Sequence, residues 1–95
     1  MFKVAALYKF SEIDNPLEVQ ISLKKILKKL SIYGTILVGG EGINGTIAAK
    51  NEKNLNKALI YLKNLKGFND LDITTMIQYR AKDWTVQMLV KLINQ

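Results

Sequence analysis

Two short β-branched runs, Thr35-Ile36-Leu37-Val38 and Thr46-Ile47-Ala48-Ala49, flank the seven residues Gly39-Gly40-Glu41-Gly42-Ile43-Asn44-Gly45, four of which are glycine. β-Branched residues favour strands, and Asn-Gly between such runs is a strong short-range hairpin signal. The spacing predicts a hairpin with strands over 35–38 and 46–49, joined by a glycine-dense loop whose turn signal is Asn44-Gly45. Gly40, Gly42 and Gly45 allow positive φ and close backbone approach. Successive N–H groups in such a loop can form an anion-binding nest, while Glu41 and Asn44 present polar side chains from its tip. The loop is not a P-loop, because the Gly-Lys-Ser/Thr ending is missing, and not a dinucleotide fingerprint, because no helix follows directly. A hairpin whose glycines serve turn geometry alone fits the same spacing.

The flanking chain extends this hairpin into a layered α+β pattern. Phe2, Val4, Ala6, Tyr8 and Phe10 alternate with Lys3, Ala5, Leu7 and Lys9, which reads as a central strand with both faces partly apolar. Asn15-Pro16-Leu17-Glu18 reads as a helix start, with Asn15 as cap, Pro16 at the first helical position and Glu18 completing a capping-box-like pattern. Val19, Leu23, Ile26, Leu27 and Leu30 then form one stripe, and Lys24, Lys25, Lys28 and Lys29 the opposite one. Ile21 falls among the lysines, and Gly34 suits the turn after the helix. A second helix starts at Asn51, with Leu55, Ala58, Leu59, Leu62 and Leu65 on its buried stripe and Gly67 as a left-handed stop. Asp72 to Tyr79 reads as a further strand. In the tail, Trp84, Val86, Met88, Val90 and Leu92 alternate as a strand does, although a helical stripe over Thr85, Met88, Leu89 and Leu92 also fits. The order β-α-β-β-α-β plus a tail strand is that of a ferredoxin-like α+β fold, an antiparallel sheet with two helices on one face. Residues 1–95 are expected to form one such domain.

Composition removes most catalytic chemistry. The chain has no Cys and no His. Thiolate nucleophiles, thiolate metal sites and the commonest general base and metal ligand are therefore absent. Ser11, Ser22 and Ser31 have no His to activate them. No catalytic residue, cofactor or metal is expected. No apolar run approaches the ~20 residues of a membrane span, and the N-terminus is too short and interrupted for a secretory signal, so a cytoplasmic location is expected. The net charge of +6 points to an anionic partner such as RNA. The thirteen Lys and one Arg, set among many Ile and Asn, equally fit compositional drift.

The run Gly34-Thr35-Ile36-Leu37, followed by Glu41-Gly42-Ile43-Asn44-Gly45-Thr46-Ile47-Ala48, resembles the hallmark of bacterial rhodanese-type tRNA uridine hydroxylases, in their N-terminal domain. Val4-Ala5-Ala6-Leu7-Tyr8-Lys9-Phe10 resembles that domain's first strand, and the likeness covers roughly residues 2–79. It implies a non-catalytic tRNA-binding or tRNA-positioning domain of an enzyme that performs oxygen-dependent 5-hydroxylation of the wobble uridine. The implied partners are tRNA and a rhodanese domain, in cis or in trans. The family's catalytic Cys belongs to that following domain and is not in this sequence. Gly40 stands where the family usually has another residue, and the segment from Trp84 onward diverges from the family's pattern. The chain thus reads as an excised domain or as the remnant of a split gene, inactive as an oxidoreductase or sulfurtransferase by itself.

Two surfaces are candidates for RNA. Lys24, Lys25, Lys28 and Lys29 span about 140° of the first helix and can hold phosphates. They also read as a solvated helix back. Tyr79-Arg80-Ala81-Lys82-Asp83-Trp84 interleaves aromatics with cations, as base-stacking surfaces do, or else packs as an edge strand. Two other classes are open. Acylphosphatases share the fold, but they carry an Arg in a glycine-rich loop after the first strand, where this chain has Ser11-Glu12-Ile13-Asp14-Asn15. A structural module that docks on a partner would use a free edge strand and Trp84.

Overall fold

The alternation read from Phe2 to Phe10 produces strand β1 over that same range. The computed structural model describes residues 2–79 and 89–92. After β1 come helix α1 (Pro16–Lys29), β2 (Tyr33–Gly39), β3 (Gly42–Ala49), α2 (Glu52–Lys63), β4 (Asp72–Tyr79) and β5 (Leu89–Leu92). The sheet order is β4-β1-β3-β2-β5. β1 is paired antiparallel on both edges, with β3 and β4, and β2 pairs antiparallel with β3. This is the expected ferredoxin-like arrangement. The tail strand adds to it in parallel, with Thr35 opposite Leu89 and Val38 opposite Leu92.

The core lies between the sheet and the two helices. Ala5, Leu7, Ile36, Val38, Ile43, Ile47 and Ala49 meet Leu23 and Leu27 of α1 and Leu55, Ala58 and Leu62 of α2. The apolar stripes seen in the sequence are therefore the buried faces of both helices. Phe2, Val4 and Ala48 form a smaller cluster on the other side of the sheet, with Tyr33 packed against it. Phe2 and Tyr33 meet edge to face at 5.2 Å, a favoured aromatic geometry. Among the described residues, no helix is long and apolar enough to cross a membrane.

Local boundaries depart from the sequence reading in three places. The hairpin turns at Gly40-Glu41, because β2 runs through Gly39 and β3 begins at Gly42, with Gly39 and Gly42 opposite each other. Asn44 and Gly45 are therefore strand residues. The Asn-Gly signal lost because longer strands bury Ile43 and pair four more residues of β3, Gly42 to Gly45, with both β1 and β2. The end of α1 is also different. Ser31 takes the left-handed conformation at the turn, with φ 55°, while Gly34, read into that turn, has its positive φ of 119° further along the chain. The Ser31 N–H donates to the Lys28 carbonyl at 3.1 Å and the Ile32 N–H to the Leu27 carbonyl at 2.9 Å, a Schellman stop closed by buried Ile32. Gly34 lies inside β2. At the start of α1, Pro16 is at the first position, but the Asn15 side chain makes no capping hydrogen bond. Asn51 does cap α2, its side chain accepting from the Lys53 N–H at 2.7 Å.

Two glycines hold β3 close to its neighbours. Gly42 has φ 141°, and a Cβ there would fall on the Lys9 carbonyl oxygen of β1. Gly45 needs no unusual φ, but its Cβ would fall on the Thr35 carbonyl oxygen of β2. Gly45→Val is expected to lower stability by more than about 1 kcal/mol through this backbone clash. An unchanged thermal midpoint would show that the strands can part without cost.

The connection from α2 to β4 is tied to β1 by Lys9, whose Nζ donates to Asp70 Oδ2 at 2.9 Å. That hydrogen bond, aided by the charge of Lys9, holds the Asp70 carboxyl below its ordinary value. A depressed folded pKa contributes stability above the unfolded value and loses it as pH falls through the folded one. Asp70 is exposed, so solvent screening keeps the effect small. Asp70→Asn should be slightly less stable than wild type at neutral pH, with the gap closing in acid, as denaturant melts at several pH values will show. A gap that persists at low pH would assign the loss to something other than this charge.

Candidate functional site

The sheet separates two surfaces of opposite character. α1 buries Leu23 and Leu27 and so turns Lys24, Lys25, Lys28 and Lys29 to solvent. The ion pairs among the described residues are Lys3–Glu52 and Lys9–Asp70, and neither involves these four lysines. α2 adds exposed Lys53, Lys57 and Lys63 to the same layer. Sequence reasoning missed these three. The i, i+4 spacing of Lys53 and Lys57 opposite the Leu55–Leu62 stripe was the available signal. Lys25, Lys29, Ser22, Ile26 and Tyr61 line a shallow groove between the helices. Glu18 and Glu52 are the acidic residues of the two helices. The helix layer is therefore a strongly basic face.

Among the described residues, no helix lies over the other face of the sheet. Along β1, Phe2 and Val4 are buried there, but Tyr8 and Phe10 are 43% and 69% exposed. Their rings meet edge to face at 5.0 Å. Asn44 on β3 is the register partner of both Tyr8 and Leu37 of β2. Phe10 stands opposite Gly42, which stands opposite Gly39, so its ring borders bare backbone. Tyr8, Phe10, Leu37, Glu41, Gly42 and Asn44 line a cleft of about 170 Å³ together with Lys9 and Ile43. The motif residues Glu41 and Asn44 are thus brought beside β1 aromatics. The alternation in β1 placed all five apolar residues on one face; it could not show that the face is covered only at the Phe2 end.

Of the two readings of the glycine loop, turn geometry rather than an anion nest describes what the strands form. Of Gly40, Gly42 and Gly45, only Gly42 has positive φ. Ile43, Asn44, Gly45 and Thr46 belong to β3, not to a loop. The carbonyls of Glu41 and Gly40 accept from the N–H groups of Ser11 and Ile13, each at 3.0 Å. Those bonds also engage the loop after β1, where a second cleft of about 380 Å³ is lined by Ser11, Glu12, Asp14, Asn15, Lys66 and Phe68, among others. With two of its N–H groups engaged, two carboxylates and no Arg, this loop is a poor anion cradle. Tyr79 ends β4 opposite Phe2. Arg80, Lys82 and Trp84, the rest of the second RNA candidate, lie outside the described residues. Among the described residues no cluster of acids could hold a metal ion.

The comparisons with known proteins bear on both faces. The UPF0176 acylphosphatase-like domain family matches residues 2–94. A tRNA uridine(34) hydroxylase of Acinetobacter baumannii is 41% identical over 69 residues, which are 73% of this chain and 21% of that protein. One from Roseobacter denitrificans is 32% identical over 91 residues, 96% of this chain and 30% of that protein. The chain therefore spans under a third of the length of these relatives. In fold it is similar to the acylphosphatase of Bacillus subtilis, with a TM-score of 0.66 at 12% identity over 98% of this chain and all of that one. That likeness shows the fold alone. The match over nearly the whole chain means that the chain belongs to the UPF0176 family, as its acylphosphatase-like domain.

Proposed function

We propose that this chain is the non-catalytic N-terminal domain of a tRNA uridine hydroxylase and helps to hold tRNA while the wobble uridine is modified in the cytoplasm. The observation that carries the proposal is the helix layer, where Lys24, Lys25, Lys28 and Lys29 are all exposed and none is in an ion pair among the described residues. Family membership supplies the substrate class, since the relatives described above are named tRNA uridine(34) hydroxylases. Chemistry would come from outside this sequence, which has neither Cys nor His.

Lysines hold phosphates as point charges and read no bases, so this contact gives affinity and orientation rather than sequence choice. Each phosphate contact releases counterions, and binding falls with salt accordingly. Labelled tRNA titrated at several salt concentrations, with wild type beside the Lys24/Lys25/Lys28/Lys29→Gln variant, tests the proposal. The variant should bind more weakly, and the slope of log affinity against log salt should shrink by about 2–3 if most of the four meet phosphates. Equal binding and an equal slope for the two proteins would remove the helix layer as the contact surface.

A further inference from the structure

We propose that the open sheet face at Tyr8 and Phe10 is the seat of a second folded domain, the part of a longer UPF0176 protein that lies outside the region this chain matches. The inference goes beyond the RNA contact and uses the opposite side of the sheet, so either can fail without the other.

Four observations carry it. The first is the placement of the rings. Tyr8 and Phe10 sit on an interior strand, held by pairing on both edges, yet remain 43% and 69% exposed. Strand-borne rings are rigid, so covering them costs little side-chain entropy. The second is the polarity around them. Tyr8, Phe10 and Leu37 form an apolar centre, Asn44 lies within it, and Glu41 and Asp72 stand at its margin. An apolar aromatic centre with a polar rim is the anatomy of a protein interface. A phosphate backbone would meet the carboxylates of Glu41 and Asp72 first. The third is the course of the chain. β5 runs from Leu89 beside Thr35 to Leu92 beside Val38, which is the end of the sheet that holds the cleft. The fourth is length. The chain accounts for 21% and 30% of two relatives, so each carries more than twice as much polypeptide again. A domain joined through the β5 end is delivered to this face at an effective concentration on the order of millimolar.

Hydroxyl-radical footprinting tests the proposal, because exposed Tyr and Phe rings are oxidised readily. The chain alone is compared with a chimaera in which it replaces the matching region of the Acinetobacter baumannii relative. Oxidation of Tyr8 and Phe10 should slow by roughly fivefold or more in the chimaera, as for residues at an interface core. Exposed Leu17 and Ile60 on the helices should react alike in both. Should the chimaera misfold, the same comparison is made in trans, with the remainder of the relative added in excess. Equal oxidation with and without the remainder overturns the proposal. Protection of the isolated chain by raising its own concentration overturns it in favour of a second copy, and protection by added tRNA overturns it in favour of RNA.

Discussion

Pairing on both edges of β1 is the constraint on which the rest of the structure depends. Register with β3 sets Leu7 against Gly45 and Tyr8 against Asn44, and register with β4 sets Leu7 against Ile73. Because side chains alternate, those pairings decide at once which residues enter the helix-side core and which stand on the other face. Ala5 and Leu7 join the core under the helices, while Tyr8 and Phe10 are left outside it. A slip of one residue would exchange them and put Lys9 on the open face. Gly42 and Gly45 make the register specific from the β3 side, since their backbones touch carbonyls of β1 and β2 with no room for a side chain.

Much of this was legible in the sequence, for reasons that can be located. Both helices were found from their apolar stripes because Leu23, Leu27, Leu55, Ala58 and Leu62 are local and periodic. β1 and β4 were found to the residue because alternation of period two is also local. The turn of the hairpin was not. Asn44-Gly45 is the stronger local signal, but Gly40-Glu41 gives longer strands and buries Ile43, a gain that exists only once β1 is beside β3. Gly34, read into the turn after α1, lies in β2 for a related reason. Ser31 accepts a conformation that Gly would take more easily, because buried Ile32 closes the Schellman motif against Leu27.

The candidate surfaces divide in the same way. The α1 lysine ridge follows from helical geometry and needed no tertiary knowledge. The exposure of Tyr8 and Phe10 is a property of the sheet as a whole, because it depends on both helices choosing one side. The result is a domain with two unlike faces. One carries seven exposed lysines on its helices and suits a polyanion. The other carries bare aromatic rings near carboxylates and suits a protein. With the sheet between them, each face can be occupied without crowding the other.

The pairing of Val4 with Met76 has a consequence for synthesis on the ribosome. The first strand to emerge is the one that needs partners from far along the chain, whereas β2 and β3 can pair as soon as both are out. At about 5–20 residues per second, the second edge of β1 waits several seconds for β4. During that interval it is an unpaired apolar strand, the kind that seeds intermolecular pairing. Lys3 and Lys9 lie near its two ends. In the folded domain they reach Glu52 and Asp70, two carboxylates that are translated much later. Before then both lysines are unneutralised charges on an exposed strand, and like-charged strands repel. The same two residues that tie β1 into the finished fold are therefore also placed to serve as gatekeepers while the strand is still unpaired.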